Sequence, residues 1–125
     1  MRKRRYYYNG KRCSKGEKRI IDYLNSKNIK FSKEHIFKDC INERSNYLRF
    51  DFYLPELNLV IEYQGQHHFR PVNKYRRAKR VHEQIVISDQ IKKEYLKNKN
   101  IKLLEISYKD YENVEMILEN TLCQI

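Results

Sequence analysis

The chain has 125 residues, which is enough for one domain with a modest hydrophobic core. Its formal net charge of +11 makes a polyanion the natural partner, and nucleic acid is favoured over a membrane surface. No apolar run is long enough to span a bilayer, and no apolar segment follows the basic N-terminus as it would in a signal peptide. The composition therefore predicts a cytoplasmic protein, in the host cell if the gene is of phage or viral origin, without a membrane partner.

The three cysteines, Cys13, Cys40 and Cys123, lie far apart in the sequence. They lack the close spacing of a zinc site, and their odd number argues against a disulfide framework. We expect reduced thiols, with Cys40 and Cys123 serving as ordinary core residues.

Residues 1–13 are predicted to form a basic N-terminal arm, followed by a single domain at residues 14–125. Two interpretations of the arm remain open. It is either a frayed, solvated tail, or a segment that neutralises phosphates while Tyr6, Tyr7 and Tyr8 stack on bases. The basic residues of this segment are Arg2, Lys3, Arg4, Arg5, Lys11 and Arg12.

A first helix is predicted from Ser14 to Asn28. Ser14 is a suitable N-cap, and Glu17 follows at the position that completes a capping box. On these residues alone, a cap is the simpler role for Glu17. Ile29 to Cys40 alternates in places and predicts a first strand.

The segment from Leu48 to Phe69 predicts two strands joined by a turn, and it ends at a glycine followed by two histidines. Alternation places Leu48, Phe50, Phe52 and Leu54 on one apolar stripe. Asp51 and Glu62 interrupt the two strands, and an acid in mid-strand is costly to bury unpaired. Two such acids on adjacent strands repel each other unless a cation lies between them. This pattern predicts a divalent-metal site.

A dense basic patch follows the histidines. A second helix is then predicted from about Val81 to Leu96, where Asp89 could simply pair with a lysine one turn further on. Ile101 to Ser107 predicts a final strand, and Asp110 to Cys123 a closing helix. The predicted order is helix, three strands, helix, strand, helix. The basic patch consists of Arg70, Lys74, Arg76, Arg77, Lys79 and Arg80.

Five stretches in this order resemble the PD-(D/E)XK nuclease superfamily. Within it, they are similar to the branch that contains very-short-patch-repair endonucleases and the phage homing endonucleases named for an E-D-x-H-D residue set. The stretches are S-K-G-E at Ser14 to Glu17, F-D-F-Y-L-P at Phe50 to Pro55, V-I-E-Y-Q-G-Q-H-H-F at Val60 to Phe69, S-D-Q-I-K-K-E-Y-L at Ser88 to Leu96 and I-K-L-L-E-I at Ile101 to Ile106.

The resemblance implies an α/β fold with a restriction-endonuclease-like core, in which helices flank a central mixed four-stranded sheet. It implies a catalytic set in which Asp51, with Glu62, holds magnesium or manganese. His68 would activate water or relay its proton, with Asp89 or Glu17 orienting the imidazole. The implied catalytic residues are Glu17, Asp51, Glu62, His68 and Asp89.

Gln64 departs from the wider superfamily, which has a lysine at this position. That lysine orients the attacking water or stabilises developing charge. Its absence implies either that histidine does this work, as in the homing-endonuclease branch, or that the site is impaired. His67 occupies a position that is not usually histidine and is a second candidate beside His68.

The predicted function is metal-dependent hydrolysis of DNA phosphodiester bonds. Lys92 and the basic patch are expected to hold the phosphate backbone, and a homodimer would explain double-strand cleavage. The main alternative is a nucleic-acid-binding protein that retains the nuclease fold without catalysis. A protein-interaction factor with an incidental basic surface is a third interpretation, and the mid-strand acids disfavour it.

Overall fold

The computed structural model describes residues 5–124. Its helices and strands follow the order predicted from residue 14 onward, and an additional strand pair precedes them. In chain order the elements are β1 (Tyr6–Tyr8), β2 (Lys11–Cys13), α1 (Lys15–Ser26), β3 (Ser32–Ile41), β4 (Tyr47–Leu54), β5 (Leu59–Gln64), a short 3₁₀ helix (Gln66–His68), α2 (Arg76–Asn98), β6 (Lys102–Ser107), a second 3₁₀ helix (Tyr108–Asn113) and α3 (Val114–Cys123).

The N-terminal segment folds back on itself as an antiparallel hairpin of β1 and β2. Asn9 and Gly10 join the strands with φ angles of 49° and 78°. Positive φ at both turn residues is typical of the tightest hairpin connection, and Asn-Gly is its preferred sequence. A frayed tail is therefore wrong for the hairpin residues, whereas Arg2, Lys3 and Arg4 lie outside the described part of the chain.

Helix α1 begins as its sequence predicts. The Ser14 hydroxyl accepts a hydrogen bond from the Glu17 amide, and the Glu17 carboxylate accepts one from the Ser14 amide, which completes the capping box. Ile20, Ile21 and Leu24 form its buried face. The predicted helix is thus confirmed, and it ends near the expected asparagines.

The central sheet has four strands in the order β3-β4-β5-β6. The first two pairings are antiparallel, whereas β5 and β6 are parallel and are connected through α2. This confirms the α/β class and the mixed four-stranded sheet flanked by helices. Helix α2 begins five residues before the predicted Val81, and a 3₁₀ helix takes the place of the first turn of the predicted last helix.

Each face of the sheet carries its own hydrophobic core. On the side of α1 and α3, Phe52 and Ile61 pack with the apolar residues of both helices. On the side of α2, Phe50 and Val60 pack with Leu96. Cys40 belongs to this second core as predicted, whereas Cys123 is exposed and its predicted core role is wrong. All three cysteines are free thiols, as predicted.

Strand β4 changes faces at Asp51. Phe50 lies in the core beside α2 and Phe52 in the core beside α1 and α3, although simple alternation would place both on one face. The opposite residue in β3, Glu34, has a φ of 51° and interrupts the pairing between Lys33 and His35. The single apolar stripe predicted for β4 is therefore wrong, because a local distortion sends its two halves to different layers.

A membrane-spanning segment would need a helix that is both long and strongly apolar. Among residues 5–124, none of the helices meets both conditions.

Candidate active site

The carboxylates of Asp51 and Glu62 occupy the place where β4 and β5 stop pairing through their backbones. The ladder between the strands ends at Phe52 and Ile61. Beyond it, the Asp51 amide donates to Glu62 Oε2, and the Tyr63 amide donates to Asp51 Oδ2, both at 2.8 Å. The two side chains thus replace main-chain hydrogen bonds, so that two acids are held side by side in the sheet.

Glu62 is neutralised by a lysine from α2. Lys92 Nζ lies 2.6 Å from Glu62 Oε1. Glu62 is 7% exposed and is the one buried charged residue among residues 5–124. Burial of a carboxylate at this level requires a partner, and Lys92 provides it.

Glu17 reaches the other face of the sheet from the first turn of α1. Besides its cap with Ser14, it accepts a hydrogen bond from Lys33 Nζ of β3 at 2.5 Å. Burial raises the pKa of Glu17, but the hydrogen bonds from Lys33 and Ser14 outweigh this effect and the pKa is lowered overall. Glu17 is therefore both the cap that its sequence position suggests and a charged member of the site.

Asp51 lies between these two neutralised acids and has no ion-pair partner in residues 5–124. Burial, followed by the negative charges of Glu62 and Glu17, raises its pKa from an ordinary 3.8 to about 7. The Tyr63 amide and the charge of Lys33 oppose this rise only in part. The arrangement disfavours a lone carboxylate at this position and favours either a proton or a bound cation.

His68 lies in the 3₁₀ helix after β5 and contacts Asp89 of α2. Its Nδ1 is 2.7 Å from Asp89 Oδ2, which is an orienting contact. The Asp89 hydrogen bond raises the pKa of His68 against the effect of burial, and the charges of Glu62 and Asp51 raise it further. The imidazole therefore lies within electrostatic range of both strand acids, and Asp89 rather than Glu17 orients it.

Sequence reasoning did not identify the close approach of Gly16 and Tyr63. A Cβ atom on Gly16 would lie 2.0 Å from Tyr63 Cζ, so only glycine allows this ring to lie against α1. Tyr63 follows Glu62, and its amide binds Asp51. The contact therefore fixes the distance between α1 and the strand that carries two site residues. A glycine in the first turn of a helix, next to a capping glutamate, was the available signal.

Gln64 and His67 do not join the acidic centre. Gln64 donates from Nε2 to Glu105 Oε2 on the neighbouring strand. The carbonyl oxygen of His67 accepts from His82 Nδ1 at 2.5 Å, while its own Nδ1 is buried without a hydrogen-bond partner among residues 5–124. The predicted secondary candidates thus support the surroundings of the site rather than the group around Asp51.

The predicted basic patch lies on the loop before α2 and on its first turns, where all six side chains belong to exposed residues. Lys92 differs from this group because it is engaged with Glu62. Its predicted role in holding the phosphate backbone stays a prediction, and its Nζ lies beside the acids. The exposed residues are Arg70, Lys74, Arg76, Arg77, Lys79 and Arg80.

The donor set suits a hard cation in part. In residues 5–124, no three His, Cys, Asp or Glu side chains are already arranged as a metal-binding group. Both oxygens of Glu62 are engaged, one with Lys92 and one with the Asp51 amide, whereas Asp51 Oδ1 has no hydrogen-bond partner in this range. Magnesium commonly binds through one or two carboxylates and keeps several waters. Asp51 Oδ1 is therefore open to such an ion, whereas Glu62 would have to give up a hydrogen bond to join it.

Comparisons of the chain with family models, with curated proteins and with solved structures found no match.

Proposed function

We propose that this chain is a divalent-metal-dependent endonuclease that hydrolyses DNA phosphodiester bonds. One observation carries the proposal: Asp51 is held between two lysine-neutralised carboxylates, has no cation of its own in residues 5–124, and has a pKa raised to about 7. A fold gains nothing in stability from such an arrangement, whereas a bound cation would relieve it. Strained electrostatics of this kind are concentrated at functional sites.

The placement of the other site residues supports a restriction-endonuclease-like core of the PD-(D/E)XK type. Glu17 comes from α1, Asp51 from β4, Glu62 from β5 and Asp89 from α2, and His68 follows β5. The charges of Glu62 and Glu17 reach Asp51, and those of Glu62 and Asp51 reach His68. Five separate elements thus bring the residues of the resembled motif into one neighbourhood.

Magnesium or manganese would be held by Asp51 together with Glu62 or Glu17. When bound, such an ion polarises the scissile phosphate and stabilises the negative charge of the transition state. Glu62 and Glu17 each keep a lysine, which neutralises the acids while the DNA backbone approaches.

The pair formed by His68 and Asp89 is suited to move a proton. Asp89 accepts from Nδ1 of His68, which leaves Nε2 to exchange a proton with water. Lys92 supplies the ammonium group that position 64 lacks, because its Nζ lies beside Glu62 although it originates from α2. Gln64 in place of a lysine therefore does not leave the site without an ammonium group.

The exposed basic patch and α2 provide the surface for DNA. Arginine and lysine contacts to phosphate give affinity and little sequence information. We expect binding to weaken with salt, with a slope of about −0.9 for each phosphate neutralised on duplex DNA.

The direct test is incubation of supercoiled plasmid with purified protein, with magnesium or with EDTA. The wild type should nick the plasmid only with the metal, and Asp51→Asn and His68→Gln should not. Asp22→Asn, on the outer face of α1, and His35→Gln, in β3, are matched controls that should retain cleavage. Failure of the wild type to cleave any plasmid or oligonucleotide with magnesium or manganese, while it still binds DNA, would overturn the proposal.

A non-catalytic nucleic-acid-binding protein is the second candidate. Gln64 favours it, because a glutamine stands where the resembled superfamily has a lysine and its side chain is engaged with Glu105 instead of the acidic centre. Calorimetry separates the two functions. If the chain is a nuclease, magnesium should bind to the wild type and bind more weakly to Asp51→Asn. A non-catalytic binding protein requires neither result.

A further inference from the structure

The N-terminal hairpin and β3 enclose a cleft of about 280 Å³ beside the candidate active site. Its lining combines cations, an aromatic ring and a thiol. The hairpin contributes Tyr8, Lys11, Arg12 and Cys13, and β3 contributes Lys33 and Glu34.

The charge of the cleft favours an anion. Three of its residues are cationic and one is acidic. Lys33 is already paired with Glu17, but Lys11 and Arg12 form no ion pair within residues 5–124. Two uncommitted cations are therefore presented at the rim, where they can contact phosphate groups.

The aromatic ring in the cleft favours a planar group next to that anion. Tyr8 packs against Phe31 at a ring distance of 5.7 Å, so its ring is held in place rather than free to rotate into solvent. A fixed aromatic ring next to cations is the common arrangement for binding unpaired nucleotides. The volume is close to the lower end of the range for small-ligand pockets, about 300–1,000 Å³, so the cleft is too small to enclose a duplex.

The position of the cleft connects it to the acids. Lys33 lines the cleft and bonds to Glu17, whose charge reaches Asp51. Glu34, the next residue of β3, also lines the cleft and lies opposite Asp51, where β4 changes faces. A strand whose phosphate lies at Asp51 would therefore pass close to the cleft.

We propose that this cleft binds one unstacked nucleotide of the strand to be cleaved, so that the substrate carries an unpaired segment next to the cleavage point. The inference rests on the proposed endonuclease function, which supplies the position of the cleaved strand at Asp51. Its test uses binding in EDTA, and a failure of cleavage therefore cannot be mistaken for a failure of the cleft.

Alkylation of Cys13, which lines the cleft, can measure whether the cleft is occupied. Burial and the charge of Glu17 raise the pKa of its thiol, so alkylation should be slow and is best followed at alkaline pH. Cys123 is exposed at the far end of α3 and serves as an internal control in the same molecule. We expect a short oligothymidylate to slow alkylation of Cys13, measured by mass spectrometry, and to leave Cys123 unchanged.

Two competitors separate a nucleotide site from a merely basic surface. Inorganic polyphosphate and a blunt duplex of equal charge should protect Cys13 much less than the oligothymidylate does. Equal protection by polyphosphate, or no protection by any of the three, would overturn the proposal.

A charge variant gives a second measurement that does not depend on the thiol. Lys11→Gln with Arg12→Gln should reduce the salt slope of oligothymidylate binding by about 1.4, which corresponds to two phosphates on a single strand. Lys97→Gln with Lys102→Gln removes the same charge from exposed positions outside the cleft lining and should change the slope less. An equal change in both double variants would contradict the proposal.

Discussion

Each face of the sheet carries a carboxylate paired with a lysine, but the two carboxylates depend on their lysines to different degrees. On one face Lys33 pairs with Glu17 and lies over the ring of Phe52; on the other, Lys92 pairs with Glu62 and lies over the ring of Phe50. Asp51 is the residue between those two phenylalanines. The fold thus neutralises the outer acids itself and leaves the middle one without an ion-pair partner in residues 5–124.

The two faces differ in the hydrogen bonds that each carboxylate keeps when its lysine is removed. Glu17 keeps its reciprocal hydrogen bonds with Ser14 and is 19% exposed at its side chain. Glu62 is more deeply buried and would keep only the Asp51 amide. We therefore expect the α2 face to depend more strongly on its ion pair.

The largest effect is expected for Lys92→Met. It leaves Glu62 buried and uncompensated and should lower the free energy of unfolding by about 3–5 kcal/mol in urea denaturation. Lys33→Met should cost less, about 1–3 kcal/mol, because Glu17 keeps its cap. Equal losses would break the comparison, and Glu62→Gln added to Lys92→Met should recover part of the stability.

Asp51→Asn should stabilise the protein in EDTA, while the amide oxygen can still accept from Tyr63. The pKa of Asp51 is raised from 3.8 to about 7, so its favourable contribution is present below pH 3.8 and is lost as the pH rises through about 7. The variant should therefore gain on the order of 2–4 kcal/mol at pH 8.

At pH 4 the same variant should gain little, which thermal unfolding at both pH values can check. Asp22→Asn on the surface of α1 is the control and should change little at either pH. A loss of stability in Asp51→Asn at pH 8 would mean that the middle acid is compensated in some other way.

Gly16→Ala tests how closely the α1 face must approach the sheet. The added Cβ would overlap the ring of Tyr63, and the displacement should cost about 1–3 kcal/mol in thermal unfolding, less any gain in helix propensity. Gly65→Ala has open space around its Cβ and an ordinary φ of −74°, so it should be close to neutral. Equal effects would show that the contact does not position α1.

The smallest effect on stability is expected for Asp89→Asn on the α2 face. Loss of the charged hydrogen bond should lower the pKa of His68, which NMR titration of the imidazole can measure. A raised pKa gives stability that is present at low pH and is lost as the pH rises through it, so the variant should lose more at pH 5 than at pH 8. Glu83→Gln, exposed on the same helix, should leave the titration unchanged.

Much of the fold follows from patterns that are local in the sequence. The capping box at Ser14, the alternation of β5 and the strand at Lys102 each depend on near neighbours, and the structure has all three. The Asn9–Gly10 turn is equally local and predicts the N-terminal hairpin, but the dense charge around it left a solvated tail and a phosphate-neutralising arm as the two interpretations.

Other features could not be predicted from the sequence because they depend on contacts between distant segments. The change of faces at Asp51 requires the distortion of β3 at Glu34, and alternation within β4 alone gives no sign of it. The pairing of Lys92 with Glu62 joins residues thirty positions apart. The strand pattern predicts Asp51 and Glu62 as site residues, whereas Asp89 and Glu17 follow only from the resemblance.

The change of faces at Asp51 also makes this residue a mechanical link between the two layers. Phe50 is anchored in one core and Phe52 in the other, so the peptide between them cannot shift without disturbing both. A ligand held at Asp51 would restrain α1 and α2 together, although these helices lie on opposite sides of the sheet. Amide hydrogen exchange should then slow in both helices at the same ligand concentration.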